Sequence, residues 1–306
     1  MDHLPYSFVD TVVSKLRMRY VEYLKEHIDS PLWAEVAKSY ITHRLTYSLR
    51  LFFKGNAIRY DLDAYRRRKI KIEDFMKIDR KFIHFDIFQA VEIGFNDDPD
   101  DSDDEAVEFE AFPEITFAEA CQFIETYYIS CRNLMFFVFA LSKKYAENQD
   151  KLVKKFLDFK INADSIIFHE GSKVSEDFLK FCLTEGGQVA VDLAGNWTES
   201  IKEPLEKFVY SGSCFVLHTP ESVTFDSGFF KRASAFWKSL SSSWSHMHIH
   251  LTPTQEAIGE FEEWMKKERR KCENGSERDV FILKHPTIKE EILEVKVLIM
   301  IFTFLK

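Results

Sequence analysis

Glycine and proline are scarce in this chain, ten and eight among 306 residues, so long flexible linkers are not expected. Cysteine is sparse too. Cys121, Cys131, Cys182, Cys214 and Cys272 make an odd number with no C-x-x-C pair. That pattern predicts reduced, mostly buried thiols in an intracellular protein rather than a disulfide framework. Cations are outnumbered, 41 Lys and Arg against 50 Asp and Glu, for a net charge of −9. Phosphate binding needs clustered cations, so nucleic acid is not the expected partner. The apolar C-terminal run ILEVKVLIMIFTFLK falls short of the roughly 20 residues that span a bilayer and predicts a buried or edge strand, with no membrane partner. A secretory leader is missing from the expectations as well: Asp2 and His3 occupy the place of a basic n-region, and Asp10, Lys15 and Arg17 interrupt any apolar core. The sequons Asn196-Trp197-Thr198 and Asn274-Gly275-Ser276 are accordingly read as chance matches.

What the chain has in abundance is rings. Thirty Phe, eleven Tyr and five Trp accompany an ordinary globular balance of 45% hydrophobic and 30% charged residues. Each ring buries a large area, so the core is expected to be built from aromatics rather than β-branched side chains.

Periodicity sets the order of elements. In LPYSFVDTVVSKL, Pro5 suits a first helical turn, and Phe8, Val12 and Leu16 recur every four residues with Val9 and Val13 beside them. A second helical pattern runs through Val21, Leu24 and Ile28. A third, capped by Asp29 or Ser30 with Pro31 inside, turns Trp33, Val36, Ala37 and Tyr40 inward. Leu45, Tyr47, Leu49 and Leu51 then alternate with polar residues, as do Ile58, Tyr60 and Leu62 after Gly55-Asn56: a β-hairpin. A helix is expected over KIEDFMKIDRKF and a strand near FIHFDIFQAVEIGF. Residues 96–105, NDDPDDSDDE, carry seven acids and no base and read as a solvated linker. They lack the glycine and spaced glutamate of an EF-hand loop.

Beyond the linker, short apolar strands alternate with amphipathic helices. Strand starts at 134, 165, 188, 214 and 246 lie 31, 23, 26 and 32 residues apart, a β-α unit repeated about five times. Gly186-Gly187 and Gly212 mark helix ends, and Thr252 with Gln255 reads as a capping box with Pro253 at the first helical position. The strict leucine-rich-repeat consensus is absent. Two strand-like runs, DVFILKH and EILEVKVLIMIF, close the chain.

Few residues suggest chemistry. His246, His248 and His250 alternate along a strand and so share a face, a possible zinc-ligating set for a hydrolase. Adjacent positions on one strand converge poorly on a tetrahedral ion, and Met247, Ile249 and Leu251 explain the strand as its buried face. Glycine-rich phosphate loops, the G-x-S-x-G elbow and H-E-x-x-H are all missing. Cys131, Cys182 and Cys214 sit among apolar neighbours as structural thiols. The basic run Arg66-Arg67-Arg68-Lys69-Ile70-Lys71 is read as solvated or facing the acidic linker; a nuclear-import or anion-binding patch is the other reading. No catalytic residue and no cofactor is assigned.

The opening LPYSFVDTVVSKL, with Trp33 in PLWAEVAKSYITHR, resembles the start of divergent F-box and F-box-associated proteins, especially the families expanded in nematodes. The segments GNWTESIKEPLEKF and FDSGFFKRASAFWKSL resemble the strand-helix units of the associated substrate-binding region. The basic residue usual before the F-box Trp is replaced by Pro31-Leu32. The resemblance implies that Leu4, Pro5, Phe8, Val12, Leu16 and Trp33 contact a Skp1-type adaptor of a cullin ubiquitin ligase. The β-α region would then recruit a protein substrate, in the cytoplasm or nucleus. The expected architecture is α+β. It comprises an F-box-like helical segment (1–53), a hairpin-helix-strand extension (54–95), the acidic linker (96–113) and an irregular, leucine-rich-repeat-like β-α domain (114–306).

Overall fold

The computed structural model describes residues 4–14, 16, 18–64, 70–94, 109–127, 133–185, 187, 190–211, 214, 216–239, 248–264, 266–271, 277–284, 292–296 and 300–303. The chain is α+β and divides into two units, residues 1–137 with 154–162, and residues 138–153 with 163–306.

The first unit opens with three helices, α1 (Tyr6–Ser14), α2 (Met18–His27) and α3 (Pro31–His43). The apolar spacing predicted these helices, and Trp33, Val36, Ala37 and Tyr40 are buried as expected. On α1 the fully buried pair is Val9 and Val13, while Phe8 is exposed and Val12 and Leu16 are partly buried; Val21 and Phe82 complete the packing of this cluster. Ser30 is the N-cap residue of α3, yet its hydroxyl makes no capping bond; its carbonyl accepts from Ala34 N at 3.0 Å. The hairpin follows as β1 (Leu45–Lys54) and β2 (Ala57–Ala64), paired antiparallel with Lys54 opposite Ala57. Gly55 at φ +62° takes the first turn position, where the left-handed conformation costs glycine nothing.

The expected helix over 71–82 shrinks to α4 (Ile72–Phe75) and a 3-10 turn at Arg80–Phe82. Its apolar residues are claimed by different neighbours. Phe75 meets Tyr47, Phe85, Phe123 and Tyr127 rings at 4.8–5.7 Å, whereas Phe82 meets Tyr40 and His43 at 5.5 and 5.2 Å. Strand β3 (Ile83–Glu92) then runs parallel to β1, with a bulge at Tyr47/Ser48 that leaves Asp86 as the extra residue. The bulge flips the pleat: Ile83 and Phe85 are buried before it, Phe88 and Ala90 after it. Helix α5 (Phe117–Tyr127) begins with a capping box, Thr116 N to Glu119 Oε2 at 2.8 Å and Glu119 N to Thr116 Oγ1 at 3.2 Å. With β4 (Asn133–Ala140), the sheet order in this unit is β4-β3-β1-β2.

Two expected boundaries move. The hairpin spans residue 53/54, because β1 and β2 hold each other by register. Residues 114–137 join the first unit instead of the β-α region. Ile115 N bonds Ile58 O at 3.0 Å, Tyr60 N bonds Pro113 O at 3.0 Å, and α5 packs Phe123 and Tyr127 on Phe75. The acidic run 96–105 lies outside the described residues.

The second unit contains most of α6 (Ala146–Asp158) and β5 (Asn162–Phe168), then α7 (Lys173–Glu185), β6 (Ala190–Leu193), a 3-10 turn at Glu199–Ile201 and α8 (Lys202–Tyr210). It continues with β7 (Val216–His218), β8 (Thr224–Phe225), α9 (Ser227–Ser239), β9 (His248–Pro253) and α10 (Gln255–Trp264). Strands β5, β6, β7 and β9 are parallel neighbours in that order. Ile166, Val191, Leu217 and Ile249 stand in register and are at most 2% exposed. Each crossover steps one strand in the same direction, so right-handed connections put the intervening helices on one face.

Polar contacts tie one repeat to the next. Gln149 Nε2 donates to Glu170 O at 2.8 Å. Glu176 accepts from Thr198 N, Thr198 Oγ1 and Ser200 Oγ at 3.1, 2.7 and 2.6 Å. Ser172, Thr198, Asp226 and Thr254 each cap a helical turn through a side-chain oxygen, at intervals of 26, 28 and 28 residues. The helix start at 252–255 is therefore corrected: Thr254, not Thr252, caps α10, bonding Ala257 N at 3.2 Å. Strand β9 runs on through Pro253 because β8 offers it a partner, Phe225 opposite Pro253.

The C-terminal region supplies β10 (Lys266–Lys271), β11 (Glu277–Lys284), β12 (Ile292–Lys296) and β13 (Met300–Thr303). The first three form their own antiparallel sheet, while β13 pairs antiparallel with β9. Among the described residues no helix is long and apolar enough to cross a membrane.

Candidate functional site

The N-terminal helices present a surface with two characters. Phe8 N and Val9 N bond the Pro5 carbonyl at 3.0 and 3.3 Å, so Pro5 starts α1 where its missing N–H is not needed. Val9 and Val13 then face α2 and α3 and are fully buried. Around the start of the same helix, Leu4 is 36%, Tyr6 50% and Phe8 49% exposed, with Pro5 exposed among them. Val12 and Leu16 are half-buried against the helical cluster. Trp33 is part of that cluster at 8% exposure, and its indole N–H is buried without an acceptor. Of the six residues expected to meet a partner, three stand free on the surface, two are shared with the core, and Trp33 belongs to the core.

A buried polar chain locks this helical group onto its own sheet. Arg44, directly after α3, donates from Nη1 to Leu16 O at 2.5 Å and lies 2.7 Å from His84 Nδ1 through Nη2. A guanidinium only donates, so His84 Nδ1 is the acceptor and the ring proton sits on Nε2. That nitrogen is 2.9 Å from Asp86 Oδ1. The bulge that leaves Asp86 as the extra residue places it beside His84, two positions earlier on the same strand. Tyr40 adds a weak tie to Asp10 O at 3.4 Å; burial, helped by the Asp10 charge, raises its phenol far above the ordinary range.

Of the histidine set, the structure describes the strand positions of His248 and His250. His246 lies outside the described residues, and His248 and His250 are strand positions on β9 whose intervening Ile249 and following Leu251 are buried. Strand register sets His250 beside His218, and His218 beside Asp192. The one described ion pair in this row, His218 Nδ1 to Asp192 Oδ2, is 3.4 Å long. His169, at the end of β5, is pushed below the ordinary histidine pKa by burial, against the opposing pull of Asp192. Among the described residues no three His, Cys, Asp or Glu side chains are grouped to hold a metal.

At Cys182 and Cys214 thiol chemistry is disfavoured for a physical reason. Burial drives the Cys182 and Cys214 thiols well above the ordinary thiol pKa, so both stay protonated and unreactive at neutral pH. Cys121 is half-buried, and Cys131 and Cys272 lie outside the described residues.

The Gly195-Asn196-Trp197 segment follows β6 and leads into the 3-10 turn at Glu199–Ile201. Trp197 is 5% exposed, donates from Nε1 to Ala194 O at 2.7 Å, and stands edge-on to Phe168 at 5.8 Å. It lies so close to Gly171 that a Cβ there would come within 2.3 Å of Asn196 O and 2.8 Å of the indole. Trp197 is the buried residue of this turn between repeats, while Gly195 and Asn196 are exposed.

One feature had no signal in the sequence. A cleft of about 580 Å³ opens in the first unit between α4, α5 and the segment 113–115. Its walls come from Tyr60, residues 71–76 and residues 113–127, and the sequence pattern for the first two gave no sign that the third would meet them. Of the basic run, residues 66–69 lie outside the described residues, and Lys71 stands on the cleft wall. No family model, no curated protein and no solved structure matches this chain.

Proposed function

We propose that the chain is a substrate-recruiting adaptor of a cullin-type ubiquitin ligase, acting in the cytoplasm or nucleus. Its N-terminal helices would hold a Skp1-type subunit, and its leucine-rich-repeat-like β-α region would present a surface to a protein substrate. The observation that carries this reading is the split character of α1. Val9 and Val13 are sealed in the core, while Leu4, Pro5, Tyr6 and Phe8 at the start of the helix remain exposed among the described residues. Clustered apolar surface of this kind is costly in water and is retained where a partner covers it. The Arg44–His84–Asp86 chain supports the same reading, since a docking face must be held rigidly by its own scaffold.

The test is co-purification with a Skp1-type protein. Replacing Leu4 and Pro5 together by Ala, or Phe8 by Ala, should abolish the complex while shifting stability by no more than about 0.5 kcal/mol, as for other surface substitutions. Trp33→Ala should instead unfold the helical group. A complex that survives both surface variants would remove the ligase link and leave a scaffold of the same fold.

A further inference from the structure

The cleft between α4, α5 and residues 113–115 carries an inference independent of the adaptor reading. Its floor is aromatic: Tyr60, Phe123 and Tyr127 line it and are each no more than 5% exposed. Phe123 and Tyr127 pack 4.8 Å apart, and the Tyr60 hydroxyl is anchored by Ile72 N at 3.2 Å, so these rings are fixed in place. The rim is acidic. Glu73 from α4, Glu114 from the bridge to β2, and Glu119 from α5 line the cleft, and all three are exposed. Lys71 is the one base on the lining, which leaves an excess of two carboxylates (three acids less one base). Lys77, next along, is taken by Asp74 at 2.7 Å. Met76 stands at the mouth, 58% exposed, an adaptable thioether of the kind that suits variable ligands.

Fixed π faces beneath carboxylates attract a cation twice, once through the ring quadrupole and once through charge. Tyr127 already carries a cation from outside the lining, the Arg80 guanidinium 5.3 Å from its ring centre, which leaves Tyr60 and Phe123 as the rings for a ligand's charge. Two of the carboxylates flank the start of α5 and the third stands on α4, so the arrangement suits several charges along a passing chain. We propose that this cleft binds the ammonium side chains of a lysine-bearing peptide segment of a partner protein. Phosphate groups and acidic peptides are the wrong sign for this rim.

A fluorescein-labelled peptide alternating lysine with serine, and its fully lysine-acetylated twin, would be titrated against the full chain by fluorescence anisotropy. The charged peptide should bind, and acetylation should weaken it about tenfold or more, the loss expected for two or more partly exposed ion pairs over aromatic faces. Glu73→Gln with Glu114→Gln keeps size and hydrogen bonding at exposed positions and should cost a similar factor, with an unchanged near-ultraviolet circular dichroism spectrum. The acidic run 96–105 is untouched in this variant, so peptide attracted merely by the net charge would bind it as well as wild type. Equal affinity for the two peptides, undiminished affinity of the double variant, or no binding by wild type would each overturn the proposal. So would full competition by free lysine amide at the same lysine concentration, which would assign the cleft to a small ammonium ion.

Discussion

Glu176 offers a direct measurement of what holds successive β-α repeats together. It lies in the first turn of α7, 3% exposed, and its carboxylate accepts three hydrogen bonds from the following loop, with Lys180 Nζ 3.9 Å away. Bonds to a charged acceptor contribute about 1.5–3 kcal/mol each. The full sum overstates the loss in Glu176→Ala, because Thr198 Oγ1 lies 2.9 Å from Ser200 Oγ and can turn its one proton to that oxygen once the carboxylate is gone. The Thr198 amide has no such substitute, so a cost of about 3 kcal/mol is expected. Local opening of the 194–201 loop should then rise by roughly a hundredfold, read as faster amide hydrogen exchange in a peptide covering that loop. Acceleration below about threefold in Glu176→Ala would refute the claim that this carboxylate fastens the repeats. The pH dependence gives a second reading. Burial alone would raise the Glu176 pKa, but the Ser200 and Thr198 bonds and the Lys180 charge outweigh it, and the net shift is downward. A depressed folded-state pKa means stability present above the ordinary carboxylate value and lost as pH falls through the folded value. The gap in urea midpoint between wild type and Glu176→Gln should therefore close in acid.

Two further predictions test other joints. Arg44→Met removes both donors that bind Leu16 O and His84 Nδ1, and should lower stability in urea by about 2–4 kcal/mol; Arg44→Lys should not restore it, because a point charge cannot span two acceptors as a planar fork does. Gly171→Ala forces a Cβ to 2.3 Å from a backbone oxygen and should cost more than about 3 kcal/mol or yield no folded protein. Gly55→Ala meets nothing within 4 Å and pays only for its positive φ, about 1 kcal/mol. Similar denaturation midpoints for the two alanine variants would contradict the packing of Trp197 described above.

Helices α1 to α3, the Gly55 hairpin and the β-α alternation were readable in the sequence because each is set by spacing within a short window. A period near 3.6 or 2 decides which side chains can share a face, whatever packs against them. Phe75 and Phe82 show where that logic fails. They stand seven residues apart, as one helix would require, but rings from distant strands and helices draw them to separate neighbours, and the helix ends after one turn. The cap at Thr254 was missed for a related reason: whether β9 stops before or after Pro253 depends on β8, which no local rule foresees.

The sequence alone determined the three opening helices, the hairpin, the β-α alternation and the apolar stripe of α1 through Phe8, Val12 and Leu16 with Val9 and Val13 beside it. Only tertiary structure decided that Val9 and Val13 are the buried side of that face, that Trp33 is core rather than contact, and that carboxylates from residues 73, 114 and 119 meet above one aromatic floor. Local propensity fixes backbone periodicity over a few residues. Burial, and the gathering of distant charges, follow from long-range packing, which a pattern within one window cannot contain.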